Sequence, residues 1–228
     1  MKQKHTFYSE LAYLVGLIVL PLGIVFMEKA NLGISMVVAP AYLIYRKVST
    51  IWSFFTFGMA EYAFQLTALL LLALILKKFR PYFLLTFVTT FLYGLVLDFF
   101  MLVLPVPDVT SMGTRIFFFA FGQLICSVGV SFFFHTYIAP QVYELFVKEI
   151  ATHFNFKISR VKTVYDCCSF TLGVIFSFAF FGFGVFEGIK WGTLICAVFN
   201  GKIIGFISTT LEKHFEFKDR FPLKKYFG

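Results

Sequence analysis

Six stretches of this chain are apolar for long enough to cross a bilayer, and nothing constrains its fold more. They run from about Leu11 to Met27, Glu61 to Leu76, Pro81 to Leu104, Ile116 to Tyr137, Val164 to Phe186 and Trp191 to Leu211. About 20 mainly apolar residues of helix span the hydrocarbon. Lipid supplies no hydrogen-bond partners, so each run has to satisfy its backbone within itself, as a helix does. The expected fold class is an all-α membrane protein with six transmembrane helices. Two shorter pieces, Ser35 to Tyr45 and Gln141 to Phe154, follow the first and fourth runs. They are expected as short broken or interfacial helices.

The charges agree with this reading. Only 14% of residues are charged and 59% are hydrophobic, where a soluble domain carries about 25% charged residues. The 35 Phe residues suit a lipid-facing surface. A net charge of +8 would ordinarily point to nucleic acid, but here the basic residues sit at the ends of apolar runs. There they orient a protein in the bilayer. No nucleic-acid motif is present, so the lipid bilayer is the expected partner and nucleic acid is not.

With the N-terminus inside, fourteen Lys and Arg residues fall on the inner side and five on the outer, with Lys202 inside a span. Both termini are therefore expected to be cytoplasmic. No small-x-small cleavage pattern follows the first run, so it is read as a retained span rather than a signal peptide.

Catalytic chemistry is not expected. Cys126, Cys167, Cys168 and Cys196 lie inside apolar runs without metal-ligand spacing, and are read as packing residues. No nucleophile–base pair, phosphate loop or metal motif appears. The chain is read as a non-enzyme with no cofactor.

The two halves echo one another. "GISMVVAPAYL" from Gly33 resembles "GVSFFFHTYIAPQVYEL" from Gly129, each with Gly-x-Ser, then Ala-Pro, then Tyr. Glu61 and Asp166 each open a long apolar run. Thr86 precedes Gly94 by the same eight residues that separate Thr193 from Gly201. The expected organisation is one membrane domain of two three-helix repeats, 8–107 and 113–212, followed by a basic cytoplasmic tail, 213–228. Three spans is an odd number, so the second repeat is inverted relative to the first, a frequent plan among secondary transporters.

"VYELFVKEIATHF" places Val142, Leu145, Phe146, Ile150 and Phe154 on one helical face. Glu144 and Lys148 are spaced as an i, i+4 pair on another. This segment is expected at the cytoplasmic interface, or as an inward extension of the fourth helix.

Three segments carry a resemblance to a known group: "NLGISMVVAP" after the first span, "FTFGMAEY" opening the second, and "LLTFVTTFLYGLVLDFF" in the third. On these the chain resembles the YczE/YyaS/YitT-type multispanning bacterial membrane proteins, over most of residues 10–210. The resemblance implies a multi-pass protein of the bacterial plasma membrane, of transporter type, and names no substrate. The chain departs from that type in lacking its Pro-Trp-Asp after Gly33 and in carrying Thr89 where that type has Asn. A ligand group on that Asp or Asn does not transfer.

Ionisable and polar residues inside spans are the candidate substrate-binding groups, because each is costly there and usually faces the interior with a partner. Asp98 and Lys202 are the deepest, and are expected to pair where the halves meet. Asn200 adjoins them. Glu61, with Gln65 one turn on, and Asp166 form a second set, while Gln123 is an isolated polar point. Asn31, Gly33 and Ser35 open the first broken piece, with Ser35 as its expected N-cap. Gly201-x-x-x-Gly205 is read as a close helix contact.

The expected function is a small-molecule permease working by alternating access. Two alternatives stand beside it: a substrate-binding membrane subunit of a multi-component importer, and a membrane chaperone or assembly factor. The expected partners are a small-molecule substrate and either a second copy or importer subunits.

Overall fold

The structure is a computed structural model that describes residues 5–104 and 111–220. Parts of three sequence readings lie outside the described residues: the end of the first repeat (105–107), the distal tail (221–228), and the N-terminal Lys2 and Lys4.

Six long helices form where the apolar runs fall: α1 (Ser9–Ala30), α3 (Phe57–Leu76), α4 (Pro81–Val103), α5 (Met112–Phe134), α7 (Ile158–Phe181) and α8 (Trp191–His214). All six are long and apolar enough to cross a membrane. The two short helices stand where they were expected, α2 (Ala39–Val48) after α1 and α6 (Val142–His153) after α5. The all-α class with six spans and two short helices therefore holds. Local chemistry sets the ends. Thr56 and Ser111 cap α3 and α5, accepting from Met59 N at 3.2 Å and Thr114 N at 3.1 Å. Pro40 and Pro81 lie in the first turns of α2 and α4, where the missing N–H is not needed.

Two strands were not legible in the sequence. β1 (His5–Tyr8) pairs in parallel with β2 (Phe215–Lys218). The two ends of the described chain thus lie on the same face of the bundle, as an even number of spans requires.

α1 and α5 make the most extensive helix–helix contact and cross at the centre. Glycines let their backbones meet. A β-carbon at Gly23 would lie 2.7 Å from the carbonyl oxygen of Gly122, and one at Gly129 would lie 2.7 Å from Leu20 N. α1 also packs on α4, and α5 on α8. α2 sits between α3 and α7, and α6 between α3 and α7 on the opposite side. The main apolar core joins residues such as Ile24, Met27, Leu43, Phe57, Tyr93 and Cys196, and a smaller one joins Leu69, Leu72 and Phe83 to Val142 and Leu145 of α6.

Three expectations are corrected. α6 does not extend α5: residues 135–141 break the chain, and Val142 and Leu145 of α6 pack into the smaller core with Phe146 and Ile150 against it, while Phe154 is exposed. Gly201 and Gly205 make no close contact, because a β-carbon at either would meet nothing within 4 Å. The close approaches use Gly16, Gly23, Gly122 and Gly129 instead, together with Gly58 and Gly94 between α3 and α4. Cys126 and Cys196 are buried, but Cys167 and Cys168 are exposed on α7 rather than packed.

Candidate functional site

The two broken segments face a common cavity. Ser35, Val37 and Val38 line it from the first, and Thr136, Ile138, Pro140 and Gln141 from the second. Its volume is about 530 Å³, within the range of small-molecule sites. The wall facing α1 is apolar, with Leu20 and Ile24. On the side that carries the termini, the exposed Lys148 and half-exposed Lys162 bound it.

A polar cluster stands at the far end. Gln123 Nε2 donates to Asn200 Oδ1 at 3.0 Å, and Ser127 Oγ donates to the same oxygen at 3.2 Å. Cys196 Sγ donates to Gln123 Oε1 at 2.8 Å. Gln123 and Asn200 both line the cavity, so two of the isolated polar points in the sequence meet here, one from α5 and one from α8.

Nearer the termini, the cavity wall is aromatic and acidic. Tyr93, Tyr143 and Tyr165 line it with Glu144. Tyr143 OH donates to Glu61 Oε2 at 2.9 Å. Behind it, Gln65 Nε2 donates to the same oxygen at 2.9 Å, and Gln65 Oε1 accepts from Thr90 Oγ1 at 2.8 Å and Val142 N at 3.2 Å. Glu61 and Gln65 are fully buried. They form one network that carries Tyr143 at the cavity wall.

Among the described residues, four buried side-chain polar atoms have no hydrogen-bond partner: Glu61 Oε1, Thr86 Oγ1, Gln141 Nε2 and Glu144 Oε2. Gln141 and Glu144 both line the cavity. Burial pushes the Glu144 carboxyl above the usual carboxylate range, a shift that Lys162 opposes and Asp166 reinforces. Burial likewise raises the Tyr143 hydroxyl, and the neighbouring Glu61 raises it further. The Tyr143 hydroxyl therefore keeps its proton to donate, while the Glu144 carboxyl gains its charge at a higher pH than an exposed one.

The remaining sequence candidates lie elsewhere. Asp98 does not meet Lys202: its oxygens accept from Thr56 Oγ1 and from Gly58 N, each at 2.7 Å. It holds the N-terminus of α3, which favours a negative charge. Lys202 is exposed on α8 and makes no ion pair among the described residues. Asp166 pairs with Lys162 at 3.4 Å on its own helix.

Asn31 and Gly33 belong to a joint at the opposite end of the bundle. Asn31 accepts from Lys190 Nζ at 2.6 Å and from Arg115 Nη2 at 2.6 Å. Gly33, at φ +120°, lets the chain press onto Thr193 and Lys190. Ser35 reaches the cavity but caps nothing, because α2 starts later, after Val38. An Arg46–Glu187 ion pair of 3.1 Å ties this end further, beside a second cavity of about 390 Å³ that Asn31, Arg46 and Glu187 line.

Glu144, Gln141 and the tyrosines were missed. The i, i+4 spacing of Glu144 and Lys148 reads as a solvent-facing pair. In the structure no ion pair joins them, and only Lys148 is exposed. The one usable signal was Gln141-x-x-Glu144 at a helix start, which carries no information about what packs over it. Among the described residues no group of three or more His, Cys, Asp or Glu side chains could hold a metal ion.

Six apolar helices around a cavity lined by two interrupted segments define a multi-pass helical membrane protein. The chain belongs to DUF6198, a family of unknown function, which matches residues 7–209. No curated protein and no solved structure matches it.

Proposed function

We propose that this protein is a small-molecule membrane transporter whose substrate occupies the cavity between the two broken segments. The observation that carries the proposal is that both interruptions line one cavity, with hydrogen-bonding groups at both of its ends. Irregular backbone at membrane depth is tolerated where it lines a cavity or is buried in protein, and in inverted-repeat transporters such segments surround the substrate.

Helix packing supports an inverted repeat. Exchanging α1–α4 with α5–α8 maps the α1–α4 contact onto α5–α8, the α2–α3 contact onto α6–α7, and the α2–α7 contact onto α6–α3. Two contacts break the correspondence: α3 and α4 pack closely where α7 and α8 do not, and α4 touches α6 where α8 makes no comparable contact with α2. Halves held in different arrangements are what alternating access uses. The main cavity reaches the lysine-bounded end, while the opposite end is tied by Asn31, Lys190 and the Arg46–Glu187 pair around a smaller cavity of about 390 Å³; this supports assignment of this form as open toward the side of the termini. The resemblance to YczE/YyaS/YitT-type proteins and the distribution of basic residues favour a bacterial plasma membrane, with that side cytoplasmic.

The test is ligand-dependent thermal stabilisation of the purified protein over a metabolite panel, followed by uptake into liposomes. A ligand at a hundredfold excess over its Kd adds about 2.7 kcal/mol. Hits that survive both Asn200→Ala and Tyr143→Phe would place the ligand outside this cavity and sink the proposal.

A second reading, as the substrate-binding membrane subunit of a larger importer, is favoured by α8. This helix is little buried, and no described residue comes within 4 Å of a β-carbon placed on Gly201 or Gly205. Such a surface suits a partner helix. Uptake by the protein alone in liposomes would remove the need for that partner, whereas co-purification with an ATPase would support it.

A further inference from the structure

The chemistry of the cavity wall narrows the ligand. Glu144 Oε2 and Gln141 Nε2 are both buried and unpartnered, and they stand three residues apart at the start of α6. One lacks a donor and the other lacks an acceptor. A buried polar group without a partner is costly, more so when it bears charge. Lys162 is near enough to favour the ionised carboxyl, but among the described residues no basic side chain of the wall makes an ion pair with it. Lys162 is committed to Asp166 at 3.4 Å, and Lys148 is exposed at the mouth without an ion pair to Glu144.

The surrounding surface is aromatic. Tyr143 and Tyr165 lie with ring centroids 6.2 Å apart, and both line the cavity beside Glu144. Ring faces attract cations, most strongly where water is scarce. Asn200 and Gln123 close the far end with amide groups.

Resting on the reading of this cavity as the substrate site, we infer that its ligand is a small organic amine that is cationic at neutral pH and carries a hydrogen-bond acceptor a few bonds from the nitrogen. The ammonium donates to Glu144 Oε2 against the tyrosine faces, and the acceptor takes the free N–H of Gln141. The apolar body of the ligand lies along Leu20 and Ile24. A carboxylate ligand would face Glu144 across a largely apolar space, where like charges repel strongly. Its counter-ions, Lys148 and the Asp166-paired Lys162, stand at the mouth.

Three probes on one skeleton test this: phenylethanolamine, phenylethanediol and mandelate, which place an amine, a hydroxyl or a carboxylate beside the same phenyl and hydroxyl groups. Binding is measured by thermal stabilisation and by calorimetry on the full chain in micelles. The amine should bind at least about tenfold more tightly than either analogue, the difference expected of one charge-assisted hydrogen bond. Glu144→Gln should bring the amine down to the affinity of the diol. Equal binding of all three, preference for mandelate, no binding of the amine, or unchanged amine affinity in Glu144→Gln would each overturn the assignment. If Glu144→Gln does not fold, the ranking by the unaltered protein decides alone. Liposome uptake separates the two proposals. Glu144-dependent amine binding without uptake leaves the site chemistry standing and removes the transporter. Uptake of mandelate that depends on Asn200 and Tyr143 does the reverse.

Discussion

Replacing Gly23 by Ala places one methyl group in the α1–α5 crossing, and the structure sets how much has to move. The new β-carbon would lie 2.6 Å from Cys126 N and Sγ and 2.7 Å from the Gly122 carbonyl oxygen, where ordinary contact begins at 3.4 Å. Two of these three atoms belong to backbone, so no side chain can swing aside to make room. The helices have to separate by about 0.8 Å, the difference between 3.4 and 2.6 Å. A gap of that size forfeits about a quarter to a half of the dispersion energy across the contact. Overpacking of this kind costs about 1–3 kcal/mol, and the better helix propensity of Ala returns up to about 1. From the middle of that range, about 2 kcal/mol, a return of about 1 leaves a net loss of about 1 kcal/mol, or about 2–4 °C in Tm for a chain of this size. Leu20, Ile24 and Cys126 line the cavity beside this crossing, so ligand affinity should fall with stability. The assay is thermal unfolding of the purified protein in micelles, beside Gly201→Ala as control. Open space surrounds Gly201, so its substitution should be neutral or stabilising. An unchanged Tm for Gly23→Ala, or equal losses at both positions, would refute the reasoning.

Three further outcomes are expected. Asp98→Asn should cost about 1–3 kcal/mol through weakened bonds to Thr56 and Gly58, Lys202→Met should cost nothing comparable, and the double variant should show additive losses in thermal unfolding. A coupling energy above about 0.5 kcal/mol would restore the pairing of Asp98 with Lys202. Tyr143→Phe removes a donor from Glu61 and should destabilise by about 1–3 kcal/mol while reducing ligand binding, as read by thermal shift with and without phenylethanolamine. Amine affinity should decline on acidification, beginning above the usual carboxylate range. Glu144 is raised by burial and binds the ammonium only when ionised, so affinity is present above its pKa and lost as pH falls through it. Lys148 and Tyr143 on α6, Lys162, Tyr165 and Asp166 on α7, Tyr82 and Tyr93 on α4, and Glu61 of α3 behind the wall are the other titratable groups near it. Calorimetry against pH checks the trend, and Glu144→Gln should flatten it.

Much of the architecture was legible in residue order. Apolar length marked all six spans, with ends within a few residues of the helices. The interruptions at Asn31–Pro40 and after Tyr137 marked where the two short helices follow, although α5 ends three residues earlier, at Phe134. Gln123 and Asn200 stood out because an amide inside an apolar run needs a partner, and each is the other's partner. The pairing of Asp98 with Lys202 was misjudged because charge sign and depth say nothing of azimuth. Asp98 faces α3, whose capping turn comes within 2.7 Å, and Lys202 faces outward. The Gly201–Gly205 spacing was misread for the same reason, since small residues permit a close approach without supplying the helix that makes it.

The sequence by itself determined that this chain is a bundle of six membrane helices with two broken segments, because a bilayer accepts only backbone that satisfies itself along a continuous apolar run. Which polar groups meet was decided by tertiary structure. The path of α6 onto α3 turns Glu144 from an apparent surface residue into the unpartnered acid of a cavity wall. It also brings Tyr143 onto Glu61, 82 residues away in the chain. Contacts of that kind depend on the rotation and crossing of whole helices, and those are fixed by the glycine-lined meeting of α1 with α5 and by the packing of the core.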